Sequence, residues 1–268
     1  MTSTIEKWMG GDKSPKKSQA AGKINTPIGA VSGNRIIFDE AGLVKQGYIF
    51  KGENKDIIEE YRVIKRRLFK SMRALDTPYQ NVILVTSALQ GDGKTFTAIN
   101  LALSIAMEID RTVLLIDGDV IKSGVCKTLG IPESKGLVDL VRNSSSDYSD
   151  VIYKTSIDNL TVIPSGQSGT SDTELLSSDR MHDFCDEISR RYPDRIIVID
   201  SPPILQTTES QALAHILHNV VFVVSAAHTP ANAVSDALNL LEANKNIQFI
   251  LNKARLRSAG MYYYYGDK

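Results

Sequence analysis

The chain has 268 residues, of which 42% are hydrophobic and 23% charged, and its formal net charge is zero. This length and composition suit one domain with a substantial core plus extensions. The balanced charge gives no indication of nucleic-acid binding, and no nucleic-acid partner is expected. The two cysteines, Cys126 and Cys185, lie far apart without metal-site spacing, which favours buried thiols in a reducing compartment. No signal peptide and no apolar stretch near the roughly 18 residues of a membrane span is found, so we expect a chain that does not itself cross a membrane.

Composition and periodicity predict three parts. Residues 1–52 are rich in Lys, Gly, Ser and Pro, which predicts a largely disordered extension. From 53 to 252, helical and strand patterns alternate, as they do in a parallel α/β sheet. Residues 253–268 are predicted to form a flexible tail. The predicted strands are 82–86, 112–117, 160–164, 195–200, 219–225 and 247–251.

Residues 82–95 read VILVTSALQGDGKT, an apolar run of strand character that stops in a glycine-rich turn. The spacing from Ala88 to Thr95 is that of a P-loop, with Ala88 at a position more often held by glycine. Gly91 and Gly93 let the backbone turn tightly, so that successive N–H groups point at phosphate oxygens. The segment therefore predicts a site for a nucleoside triphosphate.

Individual nucleotide-binding residues follow from the P-loop spacing. Lys94 would reach the β- and γ-phosphate oxygens, and Thr95 would place its hydroxyl on Mg²⁺. The helical stretch that starts around Phe96 turns a helix N-terminus toward the anion. The predicted nucleotide-binding residues are Gly91, Asp92, Gly93, Lys94, Thr95, Phe96 and, from a later motif, Asn252.

Carboxylates follow two further predicted strands. Asp117 and Asp119 come after the run TVLLI, and Asp200 comes after RIIVI. Near-continuous apolar runs are typical of parallel strands covered on both faces, and ligands bind beyond the carboxyl ends of such strands. One aspartate at a strand end is more often a turn or cap residue. Three of them favour a nucleotide site, where carboxylate oxygens suit Mg²⁺.

Four consecutive tyrosines, Tyr262, Tyr263, Tyr264 and Tyr265, stand near the end of the chain. A packed strand would alternate apolar and polar residues, which this segment does not. Exposed phenols on a mobile terminus are accessible phosphoryl acceptors, and each phosphate would add nearly two negative charges. The alternative is an aromatic tail that docks on its own domain or on a partner.

These motifs together resemble the bacterial tyrosine autokinases that control capsule and exopolysaccharide synthesis. SALQGDGKT is similar to the P-loop of that family, VLLIDGDV to its second acidic motif, and IIVIDSPP to its Asp-Ser/Thr-Pro-Pro motif. The tail is similar to its tyrosine cluster, and the resemblance extends from about residue 53 to 268. It implies a doubly wound, mostly parallel α/β sheet of the P-loop NTPase type, with a MinD/ParA-like fold.

The resemblance also implies an activity, a protein-tyrosine kinase that uses ATP and Mg²⁺ and phosphorylates Tyr262–Tyr265 between subunits of a homo-oligomer. This activity would regulate exopolysaccharide synthesis, chain length or export. The cytosolic type found with exopolysaccharide operons is the most similar variety. It implies a cytoplasmic protein held at the inner membrane by a separate chain-length-determinant membrane protein, and a cognate tyrosine phosphatase.

Catalytic roles are assigned by the same resemblance to Lys94, Asp117, Asp119 and Asp200, with Thr95, Asp119 and Asp200 at the metal. A phenol with a pKa near 10 must lose its proton as it attacks. Asp117 is our choice of proton acceptor. Because a single residue separates Asp117 from Asp119, either aspartate could have either role.

The segment Glu59-x-x-Arg62-x-x-Lys65 resembles the E-x-x-R-x-x-R oligomerisation motif of the family, with lysine at the last position. Arg66 and Arg67 could substitute for that missing arginine. Glu and Arg three residues apart also form ordinary pairs within a helix, worth a few tenths of a kcal/mol.

Two departures from family or nucleotide-binding patterns concern the site. Ile121 stands where the second acidic motif usually has arginine, and Lys122 is one residue too far along. The segment Asn252-Lys253-Ala-Arg255 begins like the GTPase Asn-Lys-x-Asp signature but ends in arginine. This favours ATP over GTP, with Asn252 as a candidate adenine contact or, alternatively, an ordinary turn residue.

Two other functions remain open. A MinD/ParA-like ATPase switch would hydrolyse ATP without phosphorylating protein. Such switches usually have a signature lysine near the start of the loop, where this chain has Leu89. A catalytically inactive adaptor would use the fold only to dock on a membrane protein.

Overall fold

The computed structural model describes residues 30–32, 35–73, 79–143, 148–166, 172–226, 228–241 and 245–254. Within these ranges the strands are β1 (Ala30–Ser32), β2 (Arg35–Ile37), β3 (Val82–Ser87), β4 (Thr112–Asp117), β5 (Tyr153–Thr155), β6 (Leu160–Ile163), β7 (Arg195–Asp200), β8 (Asn219–Ser225) and β9 (Asn246–Asn252). The helices are α1 (Glu40–Lys45), α2 (Lys55–Arg73), α3 (Lys94–Ala106), α4 (Gly124–Leu129), α5 (Leu137–Arg142), α6 (Asp172–Leu176), α7 (Asp179–Arg191), α8 (Thr208–Ile216) and α9 (Ala231–Asn239).

The nine strands of the described ranges form one sheet in the order β1-β2-β5-β6-β4-β7-β3-β8-β9. The six strands from β6 to β9 in this order are all parallel to one another. Antiparallel pairing occurs only toward the other edge of this sheet, between β1 and β2 and between β5 and β6. The six predicted strands are these six parallel strands, and the predicted doubly wound α/β fold is confirmed.

Helices cover both faces of the sheet, which explains the near-continuous apolar runs of the central strands. Every residue of β3 is buried, and alternate side chains enter opposite cores. Helices α2 and α3 contribute to one core, with Leu68 and Ile99 fully enclosed. Helices α5, α7 and α8 contribute to the other, with Ile188 and Leu213 at its centre.

The prediction that residues 1–52 are largely disordered is wrong for residues 35–52. Strand β2 pairs with β5, and Ile36, Leu43 and Ile49 are completely buried. The Ile49 N–H donates to Oδ1 of Asn100 in α3 at 2.9 Å, which ties this segment to the core. The Lys-, Gly-, Ser- and Pro-rich composition of the residues before Arg35 dominated the prediction for the whole extension and hid the apolar segment that follows. Residues 1–29 and the tail from 255 onward, with the tyrosine cluster, lie outside the described residues.

The position of Lys65 also corrects an expectation. Its side chain is buried, and Nζ donates to the Ser104 carbonyl at 2.8 Å and pairs with Oε1 of Glu108 at 2.9 Å. Lys65 therefore joins α2 to the end of α3 within one chain and does not extend toward another subunit. Glu59 and Arg62 pair with each other on the exposed face of α2.

None of the described helices combines the length and the apolar character that a membrane-spanning segment requires.

Candidate active site

The P-loop leaves β3 after Ser87 and enters α3 at Lys94. Gly91 and Gly93 have φ angles of +89° and +98°, in the left-handed region that favours glycine. A cavity of about 380 Å³ lies along the loop. Its lining residues are Gly91, Gly93, Lys94, Thr95, Phe96, Asn252 and Lys253. The structure thus brings all the predicted nucleotide-binding residues except Asp92 to one cavity.

The three predicted carboxylates meet beside this loop, as expected for parallel strands. Asp117 and Asp200 are direct neighbours across β4 and β7. Thr95 donates its hydroxyl hydrogen to Oδ2 of Asp200 at 2.7 Å. The Lys94 Nζ lies 3.7 Å from Oδ2 of Asp119. Strands β3, β4 and β7 therefore place one ammonium, one hydroxyl and three carboxylates in one cluster.

Burial strongly affects the protonation of this cluster. It raises the pKa of Asp200 to about 8, although the Lys94 ammonium acts in the opposite direction. It also raises the pKa of Asp117 to about 6, although a backbone N–H from Cys126 partly offsets the effect. Buried carboxylates of this kind are stabilised as anions by an added positive charge.

The arrangement around Asp200 fits a divalent cation. Its Oδ1 is buried and has no hydrogen-bond partner among the described residues, while Oδ2 accepts from Thr95. Gly124 leaves room here, because a Cβ on it would lie only 3.0 Å from the Thr95 hydroxyl oxygen. A free carboxylate oxygen next to a hydroxyl is a suitable set of hard donors for Mg²⁺.

The side chain of Asp92 does not extend into the cavity, so the predicted contact of this residue with the nucleotide is left to its backbone N–H. It is fully buried, and Oδ2 accepts from the Leu89 N–H at 2.9 Å. Its Oδ1 accepts from the Thr229 hydroxyl at 2.7 Å. Asp92 therefore stabilises the P-loop through contacts outside the cavity. Sequence reasoning missed Thr229. Its contact with Asp92 joins segments that are far apart in sequence, and no local motif marks it.

Asn252 lines the cavity, but its amide group turns toward the loop. Nδ2 donates to the Asp92 carbonyl at 2.9 Å, and Oδ1 accepts from the Lys253 N–H. The side chain is therefore bonded within the protein, and a contact with adenine stays a prediction. Lys253, which sequence reasoning did not assign, donates from Nζ to the Gly91 carbonyl at 2.7 Å.

Known proteins resemble this chain in sequence across the part that carries the P-loop and the three aspartates. Residues 80–254 match the family model described as an AAA domain. The chain is 30% identical to the tyrosine-protein kinase YwqD of Bacillus subtilis over 212 residues, which cover 78% of this chain and 86% of YwqD. This chain belongs to the bacterial tyrosine-kinase family. The resemblance inferred from its motifs is confirmed.

Solved structures of other proteins have the same fold as this kinase. The kinase domain of the Escherichia coli tyrosine kinase ETK aligns with a TM-score of 0.64 at 24% identity, covering 76% of this chain and 80% of that domain. A ParA-family ATPase from Chlorobium tepidum aligns with a TM-score of 0.54 at 22% identity, covering 65% and 74%. The kinase therefore shares a nucleotide-binding fold with ParA-type ATPases.

Asp117 of the kinase is completely enclosed. Its Oδ2 accepts from the Cys126 N–H at 3.0 Å and its Oδ1 from the Asp119 N–H at 3.2 Å. Asp117 thus orders the segment that follows β4, and it does not reach the cavity along the P-loop. The neighbouring Asp119 is the aspartate that faces Lys94.

A second cavity of the kinase, about 490 Å³ in volume, lies beyond the segment that follows β4. Ile121 is 61% exposed and lines this cavity. On its other walls, the hydroxyls of Ser123 and Ser165 lie 2.8 Å apart. The arginine expected at 121 is thus replaced by an apolar, solvent-exposed side chain two residues beyond Asp119.

Proposed function

We propose that this tyrosine kinase transfers the γ-phosphoryl group of ATP to Tyr262–Tyr265 of a neighbouring subunit. The observation that supports this most directly is the Thr95–Asp200 pair beside Lys94, at the first turn of α3. Phosphoryl transfer depends mainly on positioning and on neutralising charge, and this cluster is equipped for both. The tyrosine cluster supplies acceptors in the same chain.

Each residue has a definite role in this proposal. P-loop N–H groups and Lys94 bind the phosphate oxygens and withdraw charge from the group that is transferred. Thr95, Asp200 and Asp119 would hold Mg²⁺. When bound, the ion neutralises phosphate charge and orients ATP.

We assign acceptance of the tyrosine proton to Asp117. Its place at the end of β4, beside Asp200, supports the assignment. The bonds from the Cys126 and Asp119 N–H groups require the segment after β4 to open before a phenol reaches the carboxylate. The second cavity, which is lined partly by this segment, is the proposed approach for the acceptor.

We propose that transfer occurs between subunits of a homo-oligomer. The exposed pair Glu59–Arg62 on α2, followed by the exposed Arg66 and Arg67, offers charged groups for an intersubunit contact. The tail is proposed to be the substrate segment, and the kinase domain is proposed to include β2 and α1, because β2 pairs within the same sheet.

The biological role follows from the kind of kinase that the chain resembles. We propose that phosphorylation regulates exopolysaccharide synthesis, chain length or export. The proposed partners are a separate chain-length-determinant protein of the inner membrane and a cognate tyrosine phosphatase, with no nucleic acid. The kinase would be cytoplasmic and would reach the membrane through that partner.

A single experiment separates the kinase from an ATPase switch and from an inactive adaptor. The purified chain is incubated with Mg·ATP, phosphotyrosine is mapped by mass spectrometry, and released ADP is measured. The kinase predicts label on Tyr262–Tyr265, and a Lys94→Met variant is expected to gain none. ADP release without label would support the switch, and neither product would support the adaptor.

A further inference from the structure

The outer side of the P-loop is held by the end of β9. Asn252, the last residue of β9, donates Nδ2 to the Asp92 carbonyl at 2.9 Å. Lys253 donates Nζ to the Gly91 carbonyl at 2.7 Å. Two successive carbonyl groups of the loop are therefore bound by two successive side chains of one segment.

These contacts set the direction of the loop's N–H groups. A peptide unit is planar and trans, so its N–H points away from its C=O. Holding the Gly91 carbonyl orients the Asp92 N–H, and holding the Asp92 carbonyl orients the Gly93 N–H. Both N–H groups are thereby turned away from β9, as an anion-binding nest requires.

Two independent features show that this contact is close and specific. A Cβ on Gly93 would lie 1.9 Å from Nδ2 of Asn252, so the glycine is needed for this approach. Lys253 has a φ of +57°, a conformation that is unfavourable for lysine. Backbone strain of this kind persists where the surrounding contacts outweigh it.

The segment formed by Asn252 and Lys253 is anchored at its first residue. The carbonyl of Asn252 accepts from the Ala226 N–H at 2.8 Å, which ties the end of β9 to the end of β8. From the same turn, Thr229 donates to Oδ1 of Asp92. The residues that support the P-loop are therefore themselves held in position by the ends of β8 and β9.

We propose that Asn252 and Lys253 are positioning residues that hold the P-loop in its phosphate-binding conformation, so that they determine affinity for the triphosphate whatever base it carries. This inference rests on the proposed binding of ATP at the P-loop. It differs from a role in reading adenine, which would act on the base alone.

The test is calorimetry of the full chain with two probes, Mg·ATP and magnesium tripolyphosphate, which has no base. Asn252→Ala and Lys253→Met are each expected to weaken both probes about tenfold, as the loss of one hydrogen bond predicts. Lys253→Arg keeps donors at this position and is expected to retain most of the affinity. Because Asn252 is neutral, its effect cannot be attributed to lost charge.

Lys154→Ala, an exposed lysine on β5 at the far side of the sheet, is the matched control and is expected to bind both probes normally. Circular dichroism and the unfolding temperature establish that every variant is folded. A loss confined to Mg·ATP would show that Asn252 reads the base and would overturn the proposal, as would unchanged affinity in both variants. If the unaltered chain binds neither probe, the proposed function falls as well.

Discussion

The hydroxyl of Thr95 lies 2.7 Å from Oδ2 of Asp200, and the other oxygen of that carboxylate has no partner in the described part of the chain. The two residues are 105 positions apart and come from α3 and the end of β7. A buried carboxylate with one oxygen unsatisfied is costly unless a cation binds it. The pair is therefore the main structural support for the Mg²⁺ site that we propose.

Replacing this carboxylate tests the metal assignment. Asp200→Asn is expected to weaken Mg·ATP binding about tenfold or more, because a neutral amide is a poorer ligand for a divalent cation. Binding of ATP in the presence of EDTA should change little. Calorimetry with and without Mg²⁺ measures both, and an equal loss under the two conditions would contradict a metal role.

Neutral variants distinguish the two aspartates that follow β4. Asp117→Asn is expected to lower tyrosine phosphorylation by a factor of about 100 or more while Mg·ATP affinity is retained, as for loss of a general base. Asp119→Asn should weaken Mg·ATP binding as well, because Asp119 faces Lys94. Quantitative phosphotyrosine assays measure transfer, and calorimetry measures Mg·ATP affinity. If Asp117→Asn weakens Mg·ATP binding and Asp119→Asn affects only transfer, the two roles are exchanged.

The buried position of Lys65 predicts an effect on stability. Lys65→Ala is expected to lower the free energy of unfolding by about 1–3 kcal/mol, because it removes the hydrogen bond to the Ser104 carbonyl and leaves Glu108 with Arg111 as its ionic partner. Arg66→Ala, on the exposed side of α2, should change it by less than about 0.5 kcal/mol. Urea unfolding provides the measurement. If Lys65→Ala has normal stability but no longer forms an oligomer, Lys65 belongs to an intersubunit contact.

The segment before α2 is predicted to contribute to the core. Ile49→Ala should destabilise the protein by about 2–4 kcal/mol, since its side chain is fully buried. Ile37→Ala is the control, because Ile37 is half exposed and its truncation should have a small effect. Equal unfolding midpoints for the two variants would mean that this segment does not pack as described.

Restoring the arginine of the family motif tests the importance of Ile121. An Ile121→Arg variant adds a cation at an exposed position two residues beyond Asp119. We expect autophosphorylation to rise about tenfold, less than the roughly 100-fold effect of a preorganised donor. Ile109→Arg, at a fully exposed position after α3, controls for added charge. A rate unchanged by Ile121→Arg would show that this position has no influence on transfer.

Local patterns were sufficient for the six parallel strands and the loop after β3. Strands buried on both faces need continuous apolar runs, and a phosphate-binding turn needs glycines at fixed spacing. The same reasoning missed β1, β2 and β5, each three residues long. Strands this short are held by their neighbours in the sheet, and they have too little periodicity of their own to be recognised.

The sequence by itself determined the class of fold, the P-loop and the three aspartates, because each depends on residue types at short and fixed separations. Tertiary structure alone decided which way the side chains of Asp92, Asn252 and Lys65 turn. Each of them is directed by a partner from a distant segment, Thr229, the Asp92 carbonyl and the Ser104 carbonyl respectively. A buried polar group must find a partner wherever the fold supplies one, and local sequence does not specify where that will be.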